Sequence, residues 1–200
     1  MELYAVYVVI SQPTDIFFER MWLSAYSLKK YNPKMKVVCL VDDATYRGVQ
    51  TTYRGKSQKV VDHFEIIDLP EGLSQRAKSR WIKTNLRSLL KGDFLFIDSD
   101  TVVCDDLSEL ELQKAELMMV LDYHLLLNEH KDGKLIRHEC EQVFGRKLTT
   151  DDYFNSGVIL ARDTPEVHRF FDMWHKYWLE GVRRGCETDQ KSLAYVVQDN

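Results

Sequence analysis

Along the chain, short apolar runs alternate with longer stretches in which apolar residues recur every three or four positions. The runs "YAVYVVI", "MKVVCLV", "HFEIIDL" and "DFLFID" have strand length, are rich in β-branched and aromatic residues, and end in polar or turn-forming residues. Between the first two, "TDIFFERMWLSAYSLKKYNP" reads as a helix, with Thr14 or Asp15 as cap, Ile16, Leu23, Tyr26 and Ser27 on its inner face, and Pro33 as stop. A polar helical stretch with Tyr46, Val49 and Tyr53 follows the second run. "SQRAKSRWIKTNLRSLLKG" reads as a single helix that Lys91 and Gly92 end. Strands and helices in alternation predict a largely parallel sheet, joined by right-handed crossovers and covered by helices on both faces.

Beyond Asp100 the pattern continues less regularly. "DDLSELEL" predicts a short capped turn of helix, and "AELMMVLDY" and "YFNSGVILAR" predict two further strands. Asp163, Thr164 and Pro165 start a helix on which Val167, Phe170, Phe171, Trp174 and Trp178 share one face, a stripe that reads as core. "ETDQKSLAYVV" predicts a last helix, capped near Thr188. Residues 124–150 are polar and irregular, the character of a lid or binding loop. Without repeats, low-complexity tracts or linkers, residues 1–200 are expected to form a single domain.

Composition narrows the class. With 44% apolar and 29% charged residues, the chain describes a globular α/β domain able to bury a sizeable core. A formal net charge of -4 and the absence of any basic block argue against a general nucleic-acid binder. The opening run is too short to span a membrane and begins with an acid, so neither an integral membrane segment nor a leader is expected, and the location is read as cytoplasmic. Cys39, Cys104, Cys140 and Cys186 form no CxxC pair and are expected as free, buried thiols.

The candidate chemistry sits in "FLFIDSDTVV", residues 94–103. A strand apolar on both faces is central in its sheet, so Asp98 and Asp100 leave its C-terminal end into a crevice. Strand alternation would put both carboxylates on one side and Ser99 on the other, and two such anions suit a hard divalent cation bound through oxygen. The same stretch fits the nucleophile motif of haloacid-dehalogenase-type phosphatases, with Asp98 attacking phosphorus. That motif usually opens the core sheet, whereas here it follows almost a hundred residues of strand and helix. Asp105 and Asp106 read better as helix caps. Ser11-Gln12-Pro13-Thr14 lacks the glycines of a dinucleotide cradle, and Asp42 or Asp43 reads equally as a cap or a nucleotide contact.

Four stretches in order, "SRWIKTNLRSLLKGDFLFIDSDTVVCDDLSEL", "LMMVLDY", "YFNSGVILAR" and "TDQKSLAYVV", resemble the retaining glycosyltransferases of family 8 over most of the chain. The resemblance implies the GT-A fold, a Rossmann-like, mostly parallel sheet flanked by helices. Residues 1–122 would form the nucleotide-sugar half and residues 123–200 the acceptor-side half. It further implies transfer of a hexose from a nucleotide-diphosphate sugar, most often a UDP-sugar, to a saccharide or other hydroxyl acceptor. Asp98 and Asp100 would hold Mn2+ or Mg2+ against the diphosphate, Arg80, Ser99 and Asn155 would contact the donor, and Lys83 would support Arg80. Asp189 would orient the sugar hydroxyls, Gln190 would stabilise the developing cationic sugar, and Asp122 would contact the acceptor. Two features depart from the family. "SQPTD" carries no acid directly after the first strand, and the sequence stops at Asn200, before the histidine ligand and lysine loop of related enzymes, so a C-terminal truncation is expected. A nucleotide-sugar-binding module without turnover is the non-enzymatic alternative.

Overall fold

The computed structural model describes residues 3–200, the side chains of residues 56–58 excepted, so Met1 and Glu2 of the opening run lie outside it. Six strands form one sheet in the order β3-β2-β1-β4-β6-β5. They span Tyr4–Val9 (β1), Val37–Val41 (β2), His63–Ile66 (β3), Phe94–Ile97 (β4), Leu117–Leu121 (β5) and Phe154–Ala161 (β6). The first four are mutually parallel, whereas β6 runs antiparallel to both of its neighbours. The strand order reverses between β1 and β4, which makes the space beyond their carboxyl ends the crevice where ligands of open α/β sheets bind. The predicted α/β class and mostly parallel sheet are what the chain adopts.

Helices α1 (Phe17–Tyr31) and α2 (Asp43–Thr51) belong to one side of the fold, with a 3-10 segment, Tyr53–Val60, following α2. Phe18, Met21, Ala25 and Leu28 of α1 pack on Tyr7, Cys39, Leu95 and Ile97 of the sheet. On the opposite face, α3 (Gln75–Thr84), α4 (Leu86–Leu89), α7 (Pro165–Arg183) and α8 (Asp189–Asp199) bury Ile82, Leu86, Phe171, Trp174 and Leu193 against Val6, Phe94 and Phe96. The aromatic stripe of α7 is core, as expected: Val167, Phe171, Trp174 and Trp178 are all buried.

Four expectations change. The inner face of α1 is not the predicted one, since Ile16, Leu23 and Tyr26 are 56%, 53% and 51% exposed while Phe18 and Met21 are 1% and 0%. The α1 sequence is apolar on several faces, and spacing alone does not choose among them. The single helix expected over residues 74–91 is two, broken at Asn85, with Ser74 capping the first by accepting from the Ala77 N–H. Residues 124–150 are not one irregular loop. They contain α6 (Gly133–Phe144), whose Cys140 and Phe144 join Leu127, Leu148, Tyr153 and Tyr195 in a satellite core; α5 (Glu109–Leu112) is the short turn expected. All four cysteines are free, Cys39 and Cys140 buried as expected, Cys186 half-buried and Cys104 exposed.

Candidate nucleotide-sugar site

A cleft of about 530 Å³ opens beyond the carboxyl ends of β1 and β4. Val8, Val9 and Ile10 form its apolar wall, and Asp98, Ser99 and Asp100 enter from the end of β4. The strand itself stops at Ile97, and the Thr101 N–H donates to the Asp98 carbonyl at 3.2 Å, closing a turn. Alternation therefore no longer applies after Ile97, and Ser99 faces the cleft together with both carboxylates rather than away from them. The Asp98 N–H donates to the Gly157 carbonyl of β6 at 2.7 Å, which fixes where the acidic turn begins.

Four cations line the same cleft: Arg20 from α1 and Arg76, Arg80 and Lys83 from α3. The three on α3 follow i, i+4, i+7 spacing and so share one face of that helix. Lys83 is the most constrained. Its side chain is 3% exposed, and its ammonium lies 3.2 Å from Asp98 Oδ2, 3.1 Å from Ser156 Oγ and 2.9 Å from Asp189 Oδ2, above the ring of Phe96. Asp189 is buried behind it. Ser156 Oγ donates to Asp189 Oδ2 at 2.9 Å, and Arg80 Nε stands 3.4 Å from Oδ1 as a charge contact without hydrogen-bond geometry. The core tryptophans set this position: Trp174 Nε1 donates to the Asp189 carbonyl and Trp178 Nε1 to the Glu187 carbonyl, both at 3.0 Å.

The two acids, Asp98 half-buried and Asp189 buried, shift in opposite directions. Burial pushes the Asp98 carboxyl above its usual range; Lys83 pulls it down and the neighbouring Asp189 pushes it further up. Burial also opposes ionisation of Asp189, but the charges of Lys83 and Arg80 and the bonds from Lys83 and Ser156 outweigh it and hold that carboxyl at about 2.

Asn155 lies beside the cleft rather than in its lining. Its Nδ2 donates to Asp122 Oδ1 at 3.1 Å, and its Oδ1 accepts from the Gly157 N–H at 2.7 Å. Gly157 is where Asn155 and Asp98 converge, since a Cβ there would stand 2.8 Å from Asn155 Oδ1 and 3.1 Å from Asp98 Oδ2. Gln190 follows Asp189 on α8, and its Nε2 is buried with no partner among the described residues. Asp42 caps α2, accepting from the Thr45 N–H, and also meets Lys78 at 3.0 Å. The loop after β1 has no glycine to shape it and is braced instead. Arg54, 2% exposed, donates to Ser11 Oγ and the Gln12 carbonyl at 3.0 Å, and Gln75 Nε2 donates to the Ile10 carbonyl at 2.9 Å.

The donor set can be tested against the divalent ion expected from the resemblance. Among the described residues no three His, Cys, Asp or Glu side chains cluster, so Asp98 and Asp100 are the carboxylates available in the cleft. Two hard oxygen donors fit Mg2+ or Mn2+, which take remaining ligands from phosphate and water.

This arrangement, a crevice at the sheet's switch point with a mixed acidic and basic floor, is set in the GT-A fold. Several solved structures of similar fold are glycosyltransferases. Mouse xyloside xylosyltransferase 1, in its apo form, superposes with a TM-score of 0.60 at 10% identity over 100% of this chain and 83% of that one. The galactosyltransferase LgtC in complex with donor and acceptor sugar analogs gives 0.55 at 19% identity, covering 94% and 68%. The apo structure of the bifunctional glycosyltransferase WbbM gives 0.60 at 17% identity, with 97% of this chain matching 37% of that protein. At these identities the likeness establishes the fold. No protein-family model matches the sequence, and no curated protein matches it either. In this fold the Asp98 motif follows the fourth strand of the chain, away from the opening position that the phosphatase motif usually takes.

The sequence reading named Arg80, Asp98, Ser99 and Asp100, and these four meet in one cleft; Asp189 adjoins them through Lys83. It gave Lys83 only a supporting place, and it overlooked Arg20, Arg76 and Ser156. A readable signal existed for Lys83 and Arg76: cations at 76, 80 and 83 recur with helical spacing on the helix that delivers the chain to an acidic strand end. Ser156 and Arg20 carry no such signal, because their places depend on strand pairing and helix docking.

Proposed function

We propose that this domain binds a nucleotide-diphosphate sugar, in the first instance a UDP-sugar, together with Mn2+ or Mg2+, and transfers the hexose with retention to a hydroxyl of a saccharide acceptor. The observation that carries the reading is the pairing of Asp98 and Asp100 with four cations in one cleft at the switch point of the sheet. A diphosphate is an anion that demands cationic side chains, and a metal-binding acid pair beside them is what a leaving nucleoside diphosphate needs.

Asp98 and Asp100 would hold the ion, which when bound supplies Lewis-acid neutralisation of the leaving diphosphate. Arg20 and Arg76 would bind phosphate oxygens, Ser99 would contact the donor, and Arg80 would bridge the donor sugar to Asp189. The Asp189 carboxylate, already engaged by Lys83, Ser156 and Arg80, would fix the orientation of the sugar pocket rather than attack the anomeric carbon. Gln190 would stabilise the developing cationic sugar through its amide oxygen, and Asn155 with Asp122 would mark the edge shared by donor and acceptor. The missing glycines of the first turn do not weaken the reading, since Arg54 and Gln75 order that loop by other means.

Thermal unfolding with UDP in Mn2+, Mg2+ or chelator tests the proposal. A ligand that binds only the native state stabilises it by RT ln(1 + [L]/Kd), about 2.7 kcal/mol at a hundredfold excess over Kd. Metal-dependent stabilisation by UDP is expected. Stabilisation by Mg2+ with a phosphate mimic, and none by UDP, would transfer the assignment to the phosphatase chemistry of Asp98.

A further inference from the structure

The ammonium of Lys83 stands against the carboxylate that the metal would use, and we infer that Lys83 is a built-in competitor for the divalent ion at Asp98, making metal binding conditional on the nucleotide. The inference rests on the nucleotide-sugar reading of the cleft and adds to it an order of assembly.

Lys83 has three N–H donors and four oxygen neighbours. Asp189 Oδ2 at 2.9 Å and Ser156 Oγ at 3.1 Å are the nearer two, while Asp98 Oδ2 and Oδ1 stand at 3.2 and 3.4 Å. The ammonium thus hydrogen-bonds to Ser156 and Asp98 and lies closest to the charge of Asp189, meeting Asp98 at the longer distances. Its side chain is 3% exposed and its ammonium lies above the Phe96 ring at the cleft floor, so leaving Asp98 does not by itself carry it into bulk water. A metal ion arriving alone must share Asp98 with a fixed positive charge that it cannot displace into water. Arg20, Arg76 and Arg80 line the same cleft and add to that repulsion. A diphosphate reverses the balance, since its negative oxygens face those cations and supply ligands to the ion. Metal and nucleotide therefore bind together, and Asp98 passes from Lys83 to the ion while Lys83 stays with Asp189 and Ser156. The consequence is positive coupling between the two ligands, which is reciprocal by thermodynamic necessity.

The test is titration of Mn2+ by calorimetry, with and without UDP, on wild type, Lys83→Met, Lys83→Arg and Arg80→Met. Wild type should bind Mn2+ weakly alone and much more tightly with UDP. Lys83→Met should bind Mn2+ alone at least about tenfold more tightly than wild type, as expected when one charge in direct contact is removed. Lys83→Arg, which keeps the charge, should show no such gain, and Arg80→Met, which removes a cleft charge not in contact with Asp98, a much smaller one. The double variant Lys83→Met/Asp189→Asn removes both members of the buried pair and should reproduce the gain if Lys83→Met alone does not fold. Equal or weaker Mn2+ affinity in both Lys83→Met forms overturns the inference, and so does an equal gain in Arg80→Met. No Mn2+ binding by wild type even with UDP overturns the nucleotide-sugar reading itself.

Discussion

Lys83 and Arg87 stand four residues apart on consecutive helices, both almost fully buried, and each lies over a phenylalanine of β4: Lys83 over Phe96 at 5.1 Å and Arg87 over Phe94 at 4.8 Å. What separates them is the end of the strand they meet. Arg87 sits at the amino end, where it donates to the carbonyls of Leu90 and Gly92 and stands 3.7 Å from Asp163. Lys83 sits at the carboxyl end, among Asp98, Ser156 and Asp189. Arg87 thus satisfies main-chain acceptors and holds a turn shut. Lys83 satisfies ionisable side chains around a cleft, and those partners can be shared with a ligand. A buried cation bound to carbonyls is a structural part; one bound to carboxylates at a parallel-strand terminus belongs to a site.

If this division is correct, changes at the two ends should separate activity from stability. The largest effect is expected from Asp98→Asn or Asp100→Asn, which keep shape but remove a metal-binding charge. Since a bound ion would contribute several kcal/mol to charge neutralisation, UDP release from a productive UDP-sugar should fall by about a thousandfold or more. Unfolding temperature should move little.

Arg87→Met should do the reverse. Losing a buried cation leaves two carbonyls unpaired, a cost of about 3 kcal/mol, equivalent to roughly 10 °C in Tm for a chain of this size. Metal-dependent binding of UDP by the folded fraction should persist. Loss of UDP affinity at unchanged Tm would erase the contrast between the two cations.

Gly157→Ala should weaken UDP with Mn2+ by about tenfold, because its Cβ would stand 2.8 Å from Asn155 Oδ1 and 3.1 Å from Asp98 Oδ2, where one of them must move. Gly157 lies within β6, opposite the register shift with β5, and has no positive φ, so Tm should change less than in Arg87→Met.

The smallest effect is a pH dependence. Asp189 has its carboxyl lowered from 3.8 to about 2, so its ionised form stabilises the fold above pH 3.8, and that contribution is lost as pH falls toward 2. The stability difference between wild type and Asp189→Asn, measured by urea unfolding, should therefore be constant from neutral pH down to about 4 and shrink below it. A difference that grows on acidification would contradict the pairing of Asp189 with Lys83 and Arg80.

Much of this was legible in the sequence where a residue's role is set by its immediate neighbours. β4 is apolar at every position because both of its faces are covered, so "FLFI" announced a central strand and its terminal acids a crevice. The face of α1 was not legible. Ile16, Leu23 and Tyr26 have helical spacing, as do Phe18, Met21, Ala25 and Leu28, and only docking against the sheet selects the second set. Helix α6 was hidden for a related reason, since Ile136, Cys140 and Phe144 form a stripe too narrow to stand out from the polar residues around it. The acidic turn was half legible. Asp98 and Asp100 were named correctly as neighbours, but the side of Ser99 depends on a turn that breaks strand alternation one residue before it could act.

Release of UDP from a panel of UDP-hexoses, followed with Mn2+ and with chelator, for wild type beside Asp98→Asn, is the most direct measurement. The account predicts metal-dependent release from at least one donor by wild type and none by the variant. Release that survives chelation, or equal release by Asp98→Asn, would contradict a metal-dependent nucleotide-sugar site at the end of β4.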